Sequence, residues 1–173
     1  MCIGIIIFTI IVFSLIHTIT TYRTNRYTNE SLALSIKKAY ENAKNKKWDK
    51  IYIAVDIHDT IVHANYDTSE IPTEFVGRAK SVLQYLSKRK DIGLIMYTCS
   101  HPEEIKKYKR FFKKNHIDFE SANTNPQISN TELGCYDHKL YFNLVLDDKG
   151  GFNAIKDWDV LETEIMKYTF NYA

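Results

Sequence analysis

This chain has little excess charge, few cysteines and no charged side chain at its beginning. With 23 basic and 21 acidic residues in 173, the formal net charge is +2. Composition alone therefore does not call for a nucleic-acid partner. The three cysteines, Cys2, Cys99 and Cys135, are odd in number and far apart. That excludes a disulfide framework, and no Cys/His spacing forms a zinc site, so Cys99 and Cys135 are expected as free thiols. No Asp, Glu, Lys or Arg occurs in residues 1–22.

The beginning of the chain is instead an apolar run, IGIIIFTIIVFSLI at residues 3–16. At about 1.5 Å per residue, the stretch 2–20 is long enough to cross a ~30 Å hydrocarbon core. A membrane anchor over residues 1–22 is the expectation, with Arg23 and Arg26 holding the C-terminal remainder of the chain in the cytoplasm. The alternative is a cleaved signal and export, but no Lys or Arg precedes the run and no small-x-small motif comes after it. Residues 23–30 read as a polar linker and 31–173 as one α/β domain.

Leu32, Ile36, Ala39, Tyr40 and Ala43 recur at helical spacing, so a helix is expected from Ser31. Residues 51–55 (IYIAV) form a short continuous apolar run rich in β-branched side chains, the pattern of a strand buried on both faces of a parallel sheet. The chain then runs directly into Asp56-Ile57-His58-Asp59-Thr60. In open α/β sheets ligands bind beyond the carboxyl ends of the strands. An acid at such an end is costly unless a metal, a hydrogen bond or chemistry accounts for it. Residues 63–74 are turn-like, and an amphipathic helix is expected over 75–88, followed by a strand near 92–98 ending in Thr98-Cys99-Ser100.

Pro102 opens a further helix to Asn115. Its 106–114 segment, KKYKRFFKK, reads as one buried stripe (Ile105, Tyr108, Phe112) with a solvated lysine face. A nucleic-acid partner on that face is the weaker reading. A short strand is expected at 117–119, a long irregular segment at 121–136, a strand over 141–147 leading into Asp147-Asp148-Lys149-Gly150-Gly151, and a closing helix around Trp158, Leu161 and Ile165.

The ordered set Asp56/Thr60, Thr98, Lys139 and Asp147/Asp148 resembles the four motifs of the haloacid dehalogenase (HAD) superfamily of phosphatases. His58 stands where that family has its second aspartate, and Asp59 where it has glycine. The resemblance implies a three-layer, doubly wound parallel sheet of Rossmannoid type, without a cap domain. It implies a Mg²⁺-dependent phosphoester hydrolase acting on a small molecule or a macromolecule end. Asp56 would be the nucleophile that becomes an aspartyl-phosphate, and His58 the acid and base. Thr60, Thr98, Cys99 and Lys139 would bind the phosphate, with Thr98 and Lys139 also in the catalytic set and Lys139 holding the Asp56 carboxylate as well. Asp56, the His58 backbone carbonyl, Asp147 and Asp148 would hold the metal. The alternative is a HAD-like module that binds phosphate or metal without turnover.

Overall fold

The computed structural model describes residues 2–65, 69–132 and 134–170, with backbone alone for 2–9 and 22–28. In chain order the elements are α1 (Cys2–Asn45), β1 (Ile51–Val55), α2 (Ala79–Leu86), β2 (Ile92–Met96), α3 (Pro102–Lys114), β3 (Ser121–Ala122), β4 (Leu144–Leu146) and α4 (Asp157–Ile165).

All five residues of β1 are buried, as are all five of β2. β1 pairs in parallel with β2 on one side and with β4 on the other. The sheet order is β3-β2-β1-β4. The chain therefore winds outward from β1 to β3 and returns past β1 to β4, which is a doubly wound α/β arrangement. Its register sets the site. Val55 lies opposite both Met96 and Leu146, so the three strands end level. The Asp56 N–H donates to the Leu146 carbonyl at 2.9 Å, carrying the ladder one residue past the strand.

Alternation divides the strand side chains between two faces. Ile51, Ile53, Val55, Ile92, Leu94, Met96, Leu144 and Leu146 join the main core, while Tyr52, Ala54 and Ile95 are buried outside it. On that second face Gly93 is required by close approach, since a Cβ there would stand 2.8 Å from the Tyr52 ring. From α1 the core receives Ile36, Ala39, Tyr40 and Ala43, the spacing of one helical face. From α4 it receives Trp158, Leu161 and Ile165.

Several expectations are corrected. Among the described residues no helix is long and apolar enough to cross a membrane. The apolar run at the beginning of the chain is interrupted by Ser14, His17 and Thr18. The membrane-anchored localisation is therefore not supported. The side chains at 3–9 and those of Arg23 and Arg26 lie outside the described residues, as do positions 66–68 of the turn-like stretch. Residues 23–30, expected without regular structure, lie within α1. The third strand is at Ser121–Ala122 rather than 117–119, where Ile117 is buried beneath the turn that ends α3. No helix occurs among the described residues of the crossover from β3 to β4. Side-chain amides organise that segment instead: Asn125 Nδ2 donates to the Tyr141 carbonyl at 3.0 Å and Asn130 Nδ2 to Asp137 at 2.6 Å.

One buried polar cluster ties the start of β2 to α1 and to the chain after α4. Arg89 grips Asp91 through Nε at 2.8 Å and Nη2 at 2.6 Å, and also donates to the carbonyls of Ile165 and Tyr168. Asp91 is 4% exposed. Arg89→Ala strands that carboxylate without its cation, so urea unfolding should show a loss of roughly 3–5 kcal/mol. An unchanged unfolding midpoint would show that the cluster contributes nothing.

Candidate active site

Because β1 and β4 end level, the residues immediately beyond them meet. One carboxylate oxygen from each of Asp56, Asp147 and Asp148 can lie within 4.8 Å of the others. This is the point where the winding direction reverses, the usual crevice for a ligand in an open α/β sheet. Asp147 caps its own turn, with Oδ1 accepting the N–H groups of Lys149 at 2.9 Å and Gly150 at 3.2 Å. Gly151 completes the turn at φ +97°, a left-handed conformation that favours glycine.

The electrostatics of Asp56 derive from this crowding. Burial raises its pKa from 3.8 to about 6; the Ile57 N–H opposes the shift, and the charges of Asp147 and Asp148 add to it. Lys149 pulls in the other direction. The three donors are hard carboxylate oxygens with no sulfur or imidazole among them, which fits a hard divalent cation such as Mg²⁺. Nothing in three carboxylates distinguishes Mg²⁺ from Ca²⁺ or Mn²⁺.

The loop after β1 is a tight, internally bonded turn. The N–H groups of Ile61 and Val62 both return to the Ile57 carbonyl, at 2.9 and 3.0 Å. Asp59 adopts φ +54°, which Asp tolerates better than most residues. Its Oδ1 accepts the Ala64 N–H at 2.9 Å. Thr60 is fully buried: its hydroxyl accepts the Asp148 N–H at 3.1 Å and reaches Asp56 Oδ2 at 3.5 Å. The Trp158 indole N–H donates to the Thr60 carbonyl at 3.2 Å. Thr60 thus braces the two acidic loops against each other.

A hollow of about 490 Å³ opens over Asp56, lined also by His58, Thr98, Cys99, Ser100, Asp148 and Lys149. Thr98 is held firmly. Its N–H donates to Asn123 Oδ1 at 2.9 Å and its carbonyl accepts from Asn123 Nδ2 at 2.7 Å. Its hydroxyl lies 3.1 Å from that of Ser100. His58 Nε2 is 2.8 Å from the Tyr108 hydroxyl on α3.

The structure therefore brings together Asp56, His58, Thr98, Cys99 and Asp148 around one hollow, with Asp147 in the carboxylate cluster and Thr60 beneath it. Lys139 is elsewhere, lining a separate hollow with Cys135, Tyr136 and Tyr141. The cation beside Asp56 is Lys149. Sequence reasoning missed it because a lysine directly after Asp-Asp reads as part of the turn. It also missed Asn123, Trp158 and Tyr108. Of these, only Asn123 carried a signal, as a short amide near the start of the long irregular segment expected over 121–136.

No protein-family model matches this chain, and no curated protein matches it. A solved structure of a conserved protein from Bacteroides thetaiotaomicron is similar at 26% identity, with a TM-score of 0.53 over 68% of this chain and 90% of that one. That protein is described only as conserved, so the likeness carries the fold and not an activity.

A carboxyl whose pKa is raised on folding binds its proton more tightly in the folded state. Its contribution to stability is complete below the unfolded value of 3.8 and is lost as pH rises through about 6. Thermal melts of the cation-free protein should therefore show this loss across that window, and added Mg²⁺ should reverse it. Asp147→Asn, which removes one of the charges acting on Asp56, should shrink both effects. Melts that ignore Mg²⁺ at every pH would contradict a carboxylate metal site.

Proposed function

We propose that the protein is a HAD-like, capless, divalent-metal-dependent phosphoester hydrolase whose nucleophile is Asp56. The observation that carries the reading is the meeting of Asp56, Asp147 and Asp148 at the reversal point of a doubly wound parallel sheet. Phosphoryl transfer needs an in-line nucleophile and neutralisation of charge on the transferred group. Asp56 presents a carboxylate at a strand end, held from behind through Thr60 and by its own N–H on Leu146.

Asp56, Asp147 and Asp148 would hold the cation, with the His58 carbonyl as a fourth oxygen. When bound, the metal supplies charge neutralisation between the Asp56 carboxylate and the incoming phosphoryl oxygens. In the first step the Asp56 oxygen attacks phosphorus, and the ester oxygen leaves with its electron pair and takes a proton from His58. In the second step water attacks the aspartyl-phosphate, His58 accepts the water's proton, and the Asp56 carboxylate is released. Thr98, at the end of β2, offers a hydroxyl and a rigid backbone to the phosphoryl oxygens. Lys149 takes the place the resemblance implied for Lys139, as the cation facing phosphate and Asp56. Cys99 lines the hollow beside Thr98, where its backbone N–H can serve the same oxygens.

No domain inserts between β1 and β2 or between β2 and β3 among the described residues. The hollow is open, which suits a phosphoester on a small molecule or at the end of a larger one.

Purified protein should hydrolyse an aryl phosphate with Mg²⁺, and Asp56→Asn should abolish that activity while leaving the fold intact. Lys149→Met should raise KM more than Lys139→Met does. His58→Ala should slow hydrolysis of alkyl phosphates about 10²–10⁴-fold, the range for a positioned proton donor. The loss should be smaller with nitrophenol as leaving group, which needs little protonation. Metal binding without turnover across a phosphoester panel would mean a binding module instead.

A further inference from the structure

Tyr108 lies on the core stripe of α3, 1% exposed, its ring stacked on that of Phe112 with centroids 5.9 Å apart. A phenol hydroxyl in such a place needs a polar partner, since leaving it unpaired costs stability. Its partner is His58, the ring that lines the Asp56 hollow. The two rings meet edge to face, with centroids 5.7 Å apart and planes at 81°. His58 is therefore fixed by a helix that belongs to neither acidic loop. With Nε2 turned to the buried hydroxyl, Nδ1 is the ring nitrogen left for exchange.

We propose that Tyr108 is a positioning residue for His58: its hydroxyl oxygen accepts a hydrogen bond from Nε2–H, fixes that tautomer, and leaves Nδ1 as the nitrogen that exchanges protons at the Asp56 site. The contact between Tyr108 and His58 stands by itself; the direction of the hydrogen bond and the role of Nδ1 rest on the hydrolase reading.

Proton balance favours this direction of the hydrogen bond. In the first step the Nδ1 proton passes to the leaving oxygen as the phosphorus–ester bond breaks, and the neutral ring keeps its other proton on Nε2. In the second step Nδ1 takes a proton from water as the new phosphorus–oxygen bond forms and the Asp56–phosphorus bond breaks. Were Tyr108 to donate to Nε2 instead, the neutral ring would carry its proton on Nδ1. It could then accept nothing from water there. Tyr108 itself neither gives nor takes a proton. Burial first, then the charges of Glu104 and Asp56, push its pKa up to about 12.

The test has two arms. The first uses the metal-free full chain, labelled with ¹⁵N at histidine, with His58 assigned by its loss in His58→Gln. At alkaline pH, where the ring is neutral, the ¹⁵N shifts should report the Nε2–H tautomer. In Tyr108→Phe, which keeps the ring stacked on Phe112, that preference should be lost while the thermal melt stays cooperative. An Nδ1–H tautomer in the wild type, or unchanged shifts in Tyr108→Phe, overturns the proposal whether or not the protein is a hydrolase. The second arm is kinetic, with Mg²⁺ present. Tyr108→Phe should lower kcat for alkyl phosphates about tenfold, part of what a positioned proton donor contributes. KM and the rate with nitrophenyl phosphate should barely change. Equal losses for both leaving groups would contradict a role through His58.

Discussion

Three carboxylates are brought together where two adjacent parallel strands end level, and the rest of the site is shaped by the cost of doing so. Like charges at this separation repel, and burial of Asp56 adds a desolvation penalty that raises its pKa to about 6. The fold tolerates the arrangement because the neighbouring polar groups are committed. Thr60 links the two acidic loops, Trp158 holds Thr60, and Asp147 satisfies the N–H groups of its own turn. The result is a preorganised demand for positive charge, which a divalent cation and Lys149 can meet. Perturbed carboxylates of this kind gather where chemistry is done.

The other half of the site comes from the opposite direction along the sheet. Thr98 lies just beyond β2 and is clamped by Asn123, which comes directly after β3 in the left-handed conformation at φ +55°. Its Oδ1 and Nδ2 satisfy both the N–H and the carbonyl of Thr98, a two-point hold that a hydrophobic residue could not provide. His58 is set by α3 through Tyr108. The acidic loops, the β2 end and α3 thus each contribute one fixed wall, and the hollow lies between them.

The legibility of fold and site in the sequence divides along physical lines. β1 was readable because a continuous apolar run ending in an acid fits a buried strand that opens onto a polar crevice and fits little else. α3 was readable because Pro102 and the periodic Ile105, Tyr108 and Phe112 mark both its start and its buried face. The acids at 56 and 147 were readable for the same reason, as charges at strand ends. The third strand was not, since two residues paired at an edge leave no periodicity to detect. Lys139 and Lys149 could not be ranked from spacing, because among its described residues the 123–143 crossover folds through side-chain amides rather than a helix and so carries no repeat. Tyr108 looked like core and is core; that its hydroxyl also reaches His58 depends on the packing angle of α3 over the loop after β1. The apolar beginning of the chain reads as an anchor from composition, but among the described residues no helix is long and apolar enough to cross a membrane.

The central claim is that Asp56 takes up the phosphoryl group itself. The direct measurement is peptide mass analysis after acid quench of a reaction between His58→Ala protein, Mg²⁺ and an aryl phosphate. That substrate needs no acid in the first step, while the second is slowed. The prediction is that the peptide containing Asp56 gains the mass of one phosphoryl group, and that Asp56→Asn gains none. Phosphate release with no covalent species on that peptide, or a phosphoryl group on another residue, would contradict it.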